Sequence, residues 1–336
     1  MKYHQLHLFL ITSTIILNGC GGKNSNKENF PSSIPNYIIF ASNRPRNEGN
    51  YDPQDYDIYL YDLRIKSLVP LPEVNSNQIE FGPSITADGK LIVFSVGPLY
   101  AGANSDIRLY DRERKRFIDL PNLNSPYGEA APSISLDGRY IAFSSDRQNP
   151  GTHDIDVYLY DRQLQSLLLL PGLNAPKYIN GNITYFFDGA PNISASARYI
   201  VFCSDRLSIG NEDIFLYDRQ KQSLVPLPGL NSPASDCFPS ISADGRFIVF
   251  DSTRSGNSDI YLYDRQSNSL VPLPGLNTEH NEAFPSISPD GRFIAFVSDR
   301  PGVGSADIYL YDRQTLSLVP LPGINSPYFD VVPVIR

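Results

Sequence analysis

The chain has 336 residues, 41% of them hydrophobic, and a formal net charge of −8. That is long enough to bury a large core, and the acidic balance leaves no electrostatic footprint for nucleic acid. Pro (28), Gly (23), Tyr (21) and Phe (18) recur at regular intervals while Trp is absent, which suits many short strands joined by turns.

The N-terminus opens with Lys2 and the apolar stretch "LFLITSTIIL" (Leu8–Leu17), followed by "LNGC". The stretch is too short to span a bilayer as a mature helix but fits the apolar part of a signal peptide. "LNGC" resembles the bacterial lipobox, which implies cleavage before Cys20 and a diacylglycerol on its sulfur; the alternative is an ordinary secretory signal. Residues 1–19 are therefore expected to be a lipoprotein signal peptide. Residues 20–36, Gly/Ser/Asn-rich and aperiodic, are expected to form a tether. Gly21 after the cysteine resembles lipoproteins sent to the outer membrane.

From Tyr37 onward the sequence repeats. Tyr-Asp-Arg recurs at 110–112, 160–162, 217–219, 263–265 and 311–313, with Tyr61-Asp62-Leu63 as a sixth copy. The aspartates are 49, 50, 57, 46 and 48 residues apart, the length of a four-stranded propeller blade. Within a blade, "FPSIS" predicts a first strand and "PDGR" a tight turn. "FIAFVS" and "IYLY" predict the second and third strands, and "LVPL" the fourth. The recurring "VPLP" removes backbone donors from one edge, so the fourth strand is expected to lie at the rim, with Val319 and Leu321 keeping their donors for pairing. The chain enters at Tyr37–Pro45 with a second strand and ends at Val331–Arg336 with a first strand. The fold class expected is all-β: a six-bladed propeller over 37–336, of four-stranded antiparallel blades, closed by the C-terminal strand completing the first blade.

"PSISLDGRYIAFSSDR", "PSISADGRFIVF" and "PSISPDGRFIAFVSDR", each followed by "DIYLYD" or a variant, resemble the WD40-like repeats of the TolB β-propeller family. The resemblance covers nearly all of 37–336; blade four departs from it with "SASAR" at 194–198. It implies a bacterial envelope protein that binds other proteins through its propeller.

The long loops and the tight turns fall on opposite faces, and function is expected on the loop-rich one. An acid stands three residues before the proline of every first strand: Glu80, Glu129, Asp188, Asp236, Glu282 and Asp330. These predict a ring at the channel mouth, a site for a cation or basic peptide. Alternatively, each pairs with an arginine ending a second strand (Arg44, Arg147, Arg206, Arg254 or Arg300). A long insertion, 175–189, carries Tyr178, Tyr185, Phe186 and Phe187, either as an exposed interface or folded over the channel. Asp52, Asp55 and Asp57 form a weak Ca²⁺ candidate without EF-hand spacing; no other cofactor is expected. The aspartates opening the third strands (Asp57, Asp106, Asp156, Asp213, Asp259 and Asp307) are read as turn-bracing. Cys203 and Cys237 fall at one end of adjacent blades, so a disulfide between them fits an oxidising compartment.

Catalysis has little to work with. Beyond the leader only His153 and His280 remain, in different blades, and no nucleophile elbow, P-loop or zinc motif occurs. The function expected is a non-enzymatic, monomeric, lipid-anchored envelope scaffold that engages a protein or peptide partner, on the periplasmic side or surface of the outer membrane. A surface carbohydrate-binding protein or a carboxylate-based glycosidase is the alternative.

Overall fold

A computed structural model describes residues 35–45, 52–98, 104–148, 154–174, 178–179, 182–183 and 186–336. Cys20 and nearly all of the tether lie outside these residues.

Six four-stranded antiparallel sheets surround one axis. Blade one combines the C-terminal strand Asp330–Ile335 with Tyr37–Ser42, Asp57–Asp62 and Ser67–Val69. The other five run in chain order, from first strands at Glu80–Ile85, Glu129–Ile134, Asp188–Ile193, Asp236–Ile241 and Glu282–Ile287. The ring closes as the repeat phase requires: Ile38 pairs with Ile335 and Ser42 with Asp330. The termini are further joined by reciprocal bonds between Tyr37 and Arg336, N to O at 2.8 and 3.0 Å.

Second and third strands are apolar on both sides because each sheet packs between two others. The core is accordingly a set of interblade layers. One holds Val249, Leu262, Ile287 and Phe296, another Val93, Leu109, Ile134 and Phe143. The Asp-Gly turns require a left-handed residue; Gly245 and Gly291 adopt φ of 76° there, and a Cβ would fall 2.3 and 2.7 Å from Tyr199 and Phe247 of the preceding blade. Blade four keeps the turn without glycine, Ala197 taking φ 52°.

The fourth strands are shorter than "LVPL". They end at Val69, Ile118, Leu167, Leu224, Val271 and Leu318. Val319 donates to Leu310 O at 2.7 Å as expected, but the prolines and Leu321 lie past the ladder, so they stop the strand instead of lining its outer edge. Two devices replace the missing pairing. An asparagine 17 residues beyond each third-strand Ile or Val brackets that residue's N–H and C=O with its amide, at 2.8–3.1 Å, in all six blades: Asn75, Asn124, Asn174, Asn231, Asn277 and Asn325. The carbonyl of the last proline before each blade connection (Pro72, Pro121, Pro171, Pro228, Pro274 and Pro322) accepts the tyrosine hydroxyl of the next blade's Tyr-Asp step at 2.7–3.0 Å, again six times.

Candidate functional site

The face bearing the second-to-third loops and blade connections is built on the six predicted acids. All are buried, at 1% exposure or less. In five blades the carboxylate meets the arginine that ends the second strand: Asp330–Arg44 at 2.5 Å, Glu129–Arg147 at 2.9, Asp188–Arg206 at 2.7, Asp236–Arg254 at 2.6 and Glu282–Arg300 at 2.8. Each arginine also donates to a carbonyl in the preceding connection (Ile324, Leu123, Leu173, Leu230 and Leu276) at 2.7–2.9 Å. Its guanidinium lies 4.5–4.7 Å from a third-strand Tyr or Phe ring centroid. Blade two differs: Val96 and Pro98 occupy the Ser and Arg positions, Arg108 replaces the ring, and Glu80 accepts the N–H and hydroxyl of Ser76 at 3.1 and 2.5 Å. The acids thus form a ring inside the wall. They do not line the channel mouth, and in five blades the arginine pairing is the arrangement observed. Burial pushes the Glu129 carboxyl above its ordinary value despite the arginine.

The channel itself is apolar and narrow, a cavity of about 120 Å³ lined by the proline of every first strand and its two neighbours. The residue before each proline (Gly82, Ala131, Ala190, Phe238, Phe284 and Val332) sits at φ 46–58°, in a bulge that breaks the register of the first strand. Phe238 and Phe284 meet edge to face, with centroids 4.5 Å apart. Such a space is far below the roughly 300 Å³ at which small-molecule pockets begin.

The aromatic insertion is described only in part. Tyr178–Ile179 and Asn182–Ile183 form a short hairpin, while Tyr185 lies outside the described residues. Phe186 is buried and Phe187 half-buried, packed with Cys203, Ile214 and Phe250; backbone bonds from Ile155 to Phe186 O (3.1 Å) and from Asp188 to Ile155 O (2.8 Å) fix them there. These two rings are therefore core and not exposed binding groups. Cys203 and Cys237 are bonded, S–S 1.99 Å, linking blades four and five. Among the described residues, which include Asp52, Asp55 and Asp57, no three His, Cys, Asp or Glu side chains gather where they could hold a metal. Of the third-strand aspartates, Asp259 accepts Ser255 Oγ at 2.5 Å and Asp307 accepts Val303 N at 2.6 Å, bracing their loops.

Two features escaped the sequence reading. Blade four's second and third strands run on to Tyr199–Ser208 and Asn211–Asp218, with Ser208 paired to Asn211. The hairpin rises past its sheet and leaves Leu207 and Ile209 at 70% and 72% exposure. Spacing gives no signal for it, since Ser204 and Asp213 are as far apart in the chain as Ser298 and Asp307 of blade six; the excess length of blade four lies in the insertion. The other feature is Asp251, which stands where the other blades have Ala41, Ser95, Ser144, Cys203 and Val297. It accepts the N–H of Phe284 in blade six at 2.9 Å, and burial pushes its carboxyl up to about 8.

No family model matches the chain, and no curated protein does. Solved structures do. TolB from Acinetobacter baumannii is similar with a TM-score of 0.63 at 19% identity, over 90% of this chain and 68% of that one. A putative TolB from Agrobacterium tumefaciens gives 0.59 at 17%, over 88% and 89%. An oligogalacturonate lyase in complex with manganese gives 0.52 at 11%, over 86% and 81%. The fold is a six-bladed, TolB-like β-propeller. At these identities the likeness speaks to the fold alone, and that fold also occurs in an enzyme.

Proposed function

We propose that the protein is a monomeric cell-envelope scaffold, lipid-anchored through Cys20, whose loop-rich face engages a protein or peptide partner without catalysing a reaction. The observation that carries this reading is the blade-four hairpin, which holds two large aliphatic side chains in solvent where the fold requires neither. Exposed apolar groups rimmed by polar ones are characteristic of protein interfaces. Elsewhere on the same face Asp52, Asp106 and Glu279 are exposed, so the partner is expected to offer an apolar group to the hairpin and to tolerate an acidic face. The similarity to TolB structures supports an envelope location. A glycosidase would need two carboxyls open to a sugar, whereas the acids that recur by blade are buried and, in five blades, bonded to arginine.

Photo-crosslinking in intact envelopes with a probe at Ser208 tests this. A discrete crosslinked species should form and should vanish in Leu207→Asp/Ile209→Asp, while the far-UV spectrum stays unchanged. An identical species in that variant would remove the hairpin from the interface.

A further inference from the structure

The opposite face, made of the tight turns, has its own chemistry. The described chain enters there: Asn36 O accepts Leu63 N at 3.0 Å, and Tyr37 pairs with Asp62. Next to this entry, the third-to-fourth turn of blade two reads "DRERKR" (111–116), four basic residues against two acidic ones. Arg114, Lys115 and Arg116 are exposed. Arg114 is held by Asp111 at 2.8 Å, while Lys115 and Arg116 have no acidic partner among the described residues. Arg64 and Arg112, from blades one and two, lie 5.3 and 5.2 Å from the centroid of Tyr37; Arg64 is paired with Asp62 at 2.5 Å and exposed Lys90 with Glu113 at 3.2 Å, and Lys66 is exposed on the blade-one turn.

Apolar side chains flank this basic cluster at the tips of equivalent turns. Ile65 in blade one, Leu164 in blade three and Leu316 in blade six are 65%, 62% and 52% exposed. None fills a core position, and the corresponding turns of blades four and five ("RQKQ" and "RQSN") carry no apolar residue. Exposed apolar tips are thus confined to blades six, one and three, on either side of the blade-two cluster at the point of chain entry, while the basic groups of blades four and five are exposed Lys221 and the acid-paired Arg198 and Arg246.

We infer that this arc of tight turns is a docking surface for an anionic lipid bilayer. The basic cluster would lie against lipid phosphates, as juxtamembrane basic clusters do, and Ile65, Leu164 and Leu316 would enter the interfacial zone. Two observations select a bilayer over an acidic protein. The apolar groups are isolated on separate turn tips, a spacing that suits a soft, laterally uniform surface better than a packed protein core. Residues 1–34, with the proposed anchor, also join the fold at this arc. The loop-rich face would then point away from the membrane with its hairpin presented outward, a geometry that rests on the scaffold reading but is tested without it.

Residues 35–336 contain all six blades and their closure, and so fold on their own without any lipid. They should cosediment with vesicles of phosphatidylethanolamine containing a quarter phosphatidylglycerol, at least tenfold better than with phosphatidylcholine vesicles, although the net charge of the full chain is −8. Arg114→Glu/Lys115→Glu/Arg116→Glu should abolish the preference. Ile65→Ser/Leu164→Ser/Leu316→Ser should weaken retention severalfold, while Leu207→Asp/Ile209→Asp should leave it unchanged. These substitutions lie on exposed turns, so a thermal midpoint within a few degrees of the parent serves as the folding control. Equal retention on both vesicle types, or undiminished retention of the charge-reversed variant, would overturn the inference; failure to bind any vesicle would overturn it too, and leave the basic cluster to an acidic protein. None of these results bears on crosslinking at Ser208.

Discussion

The hydroxyl of Tyr61 in blade one donates to the carbonyl of Pro322 in blade six at 3.0 Å, across the seam where the two ends of the propeller meet. Burial pushes that phenol up to about 12, so it remains a donor at any physiological pH. The same bond recurs at the other five interfaces, which makes the seam chemically equivalent to them. Removing one such hydroxyl leaves a carbonyl without its donor, at about 1 kcal/mol. Tyr160→Phe and Tyr61→Phe should each lower stability by about that amount in denaturant titrations with an unchanged slope. A much larger loss at Tyr61 alone would mean that the seam is weaker than the other joints.

The buried ion pairs allow a sharper test. Arg300 neutralises Glu282 at 2.8 Å while also bonding Leu276 O and Ser298 Oγ. Arg300→Met keeps much of the stem but strands a buried carboxylate, which should cost about 3–5 kcal/mol. The double variant Arg300→Met/Glu282→Gln should recover most of it. Equal stability of the single and double variants would show that the carboxylate is not what the arginine serves.

The fold was legible because its repeats are in phase: the Tyr-Asp steps gave blade number, and the unmatched ends gave the closure. The loop-rich face was less so. An acid recurring in every blade has the same pattern whether it lines a mouth or braces a wall, and only the third dimension distinguishes them. The asparagine bracket and the tyrosine–proline bond were written in "LPGLN" and "LYD" at fixed spacing, yet they join residues 17 or more apart in the chain, beyond what strand patterning reports. Asp251 is visible only when second strands are compared position by position.

Asp251 sets a pH dependence. Its folded pKa of about 8 lies above the ordinary 3.8, so the folded state holds a proton that the unfolded state releases. The resulting stability is fully present below 3.8 and lost as pH rises towards 8. The thermal midpoint should therefore decline between pH 5 and 8. Asp251→Asn, which can still accept from Phe284, should flatten that decline and surpass the parent at pH 8. An unaltered slope in the variant would assign the effect to other groups.

At the acid end the sign reverses. Arg139 holds the Asp161 carboxyl below its ordinary value, and Arg246 does the same for Asp264. Their contribution is present above 3.8 and lost as pH falls through the depressed values. Arg139→Gln and Arg246→Gln should raise the pH of acid unfolding, read by tyrosine fluorescence. No change in either variant would show that these pairs are too solvated to matter.

The disulfide between Cys203 and Cys237 closes a separation of 34 residues. A loop of that size stabilises by about 2–4 kcal/mol, chiefly by restricting the unfolded chain. Cys203→Ala/Cys237→Ala should unfold at lower temperature than the oxidised parent and be insensitive to reductant. Reductant should lower the parent towards the variant.

Closure by the C-terminal strand underlies both faces, since it holds blade six against blade one and sets the order of loops and turns around the axis. Thermal unfolding of a chain ending at Asp330, compared with the full chain, tests it most directly. Without Val331–Arg336 the second strand Tyr37–Ser42 loses its inner neighbour, and the single cooperative transition should broaden and fall by ten degrees or more. A truncated chain that melts as sharply and at the same temperature as the intact one would contradict the closed ring.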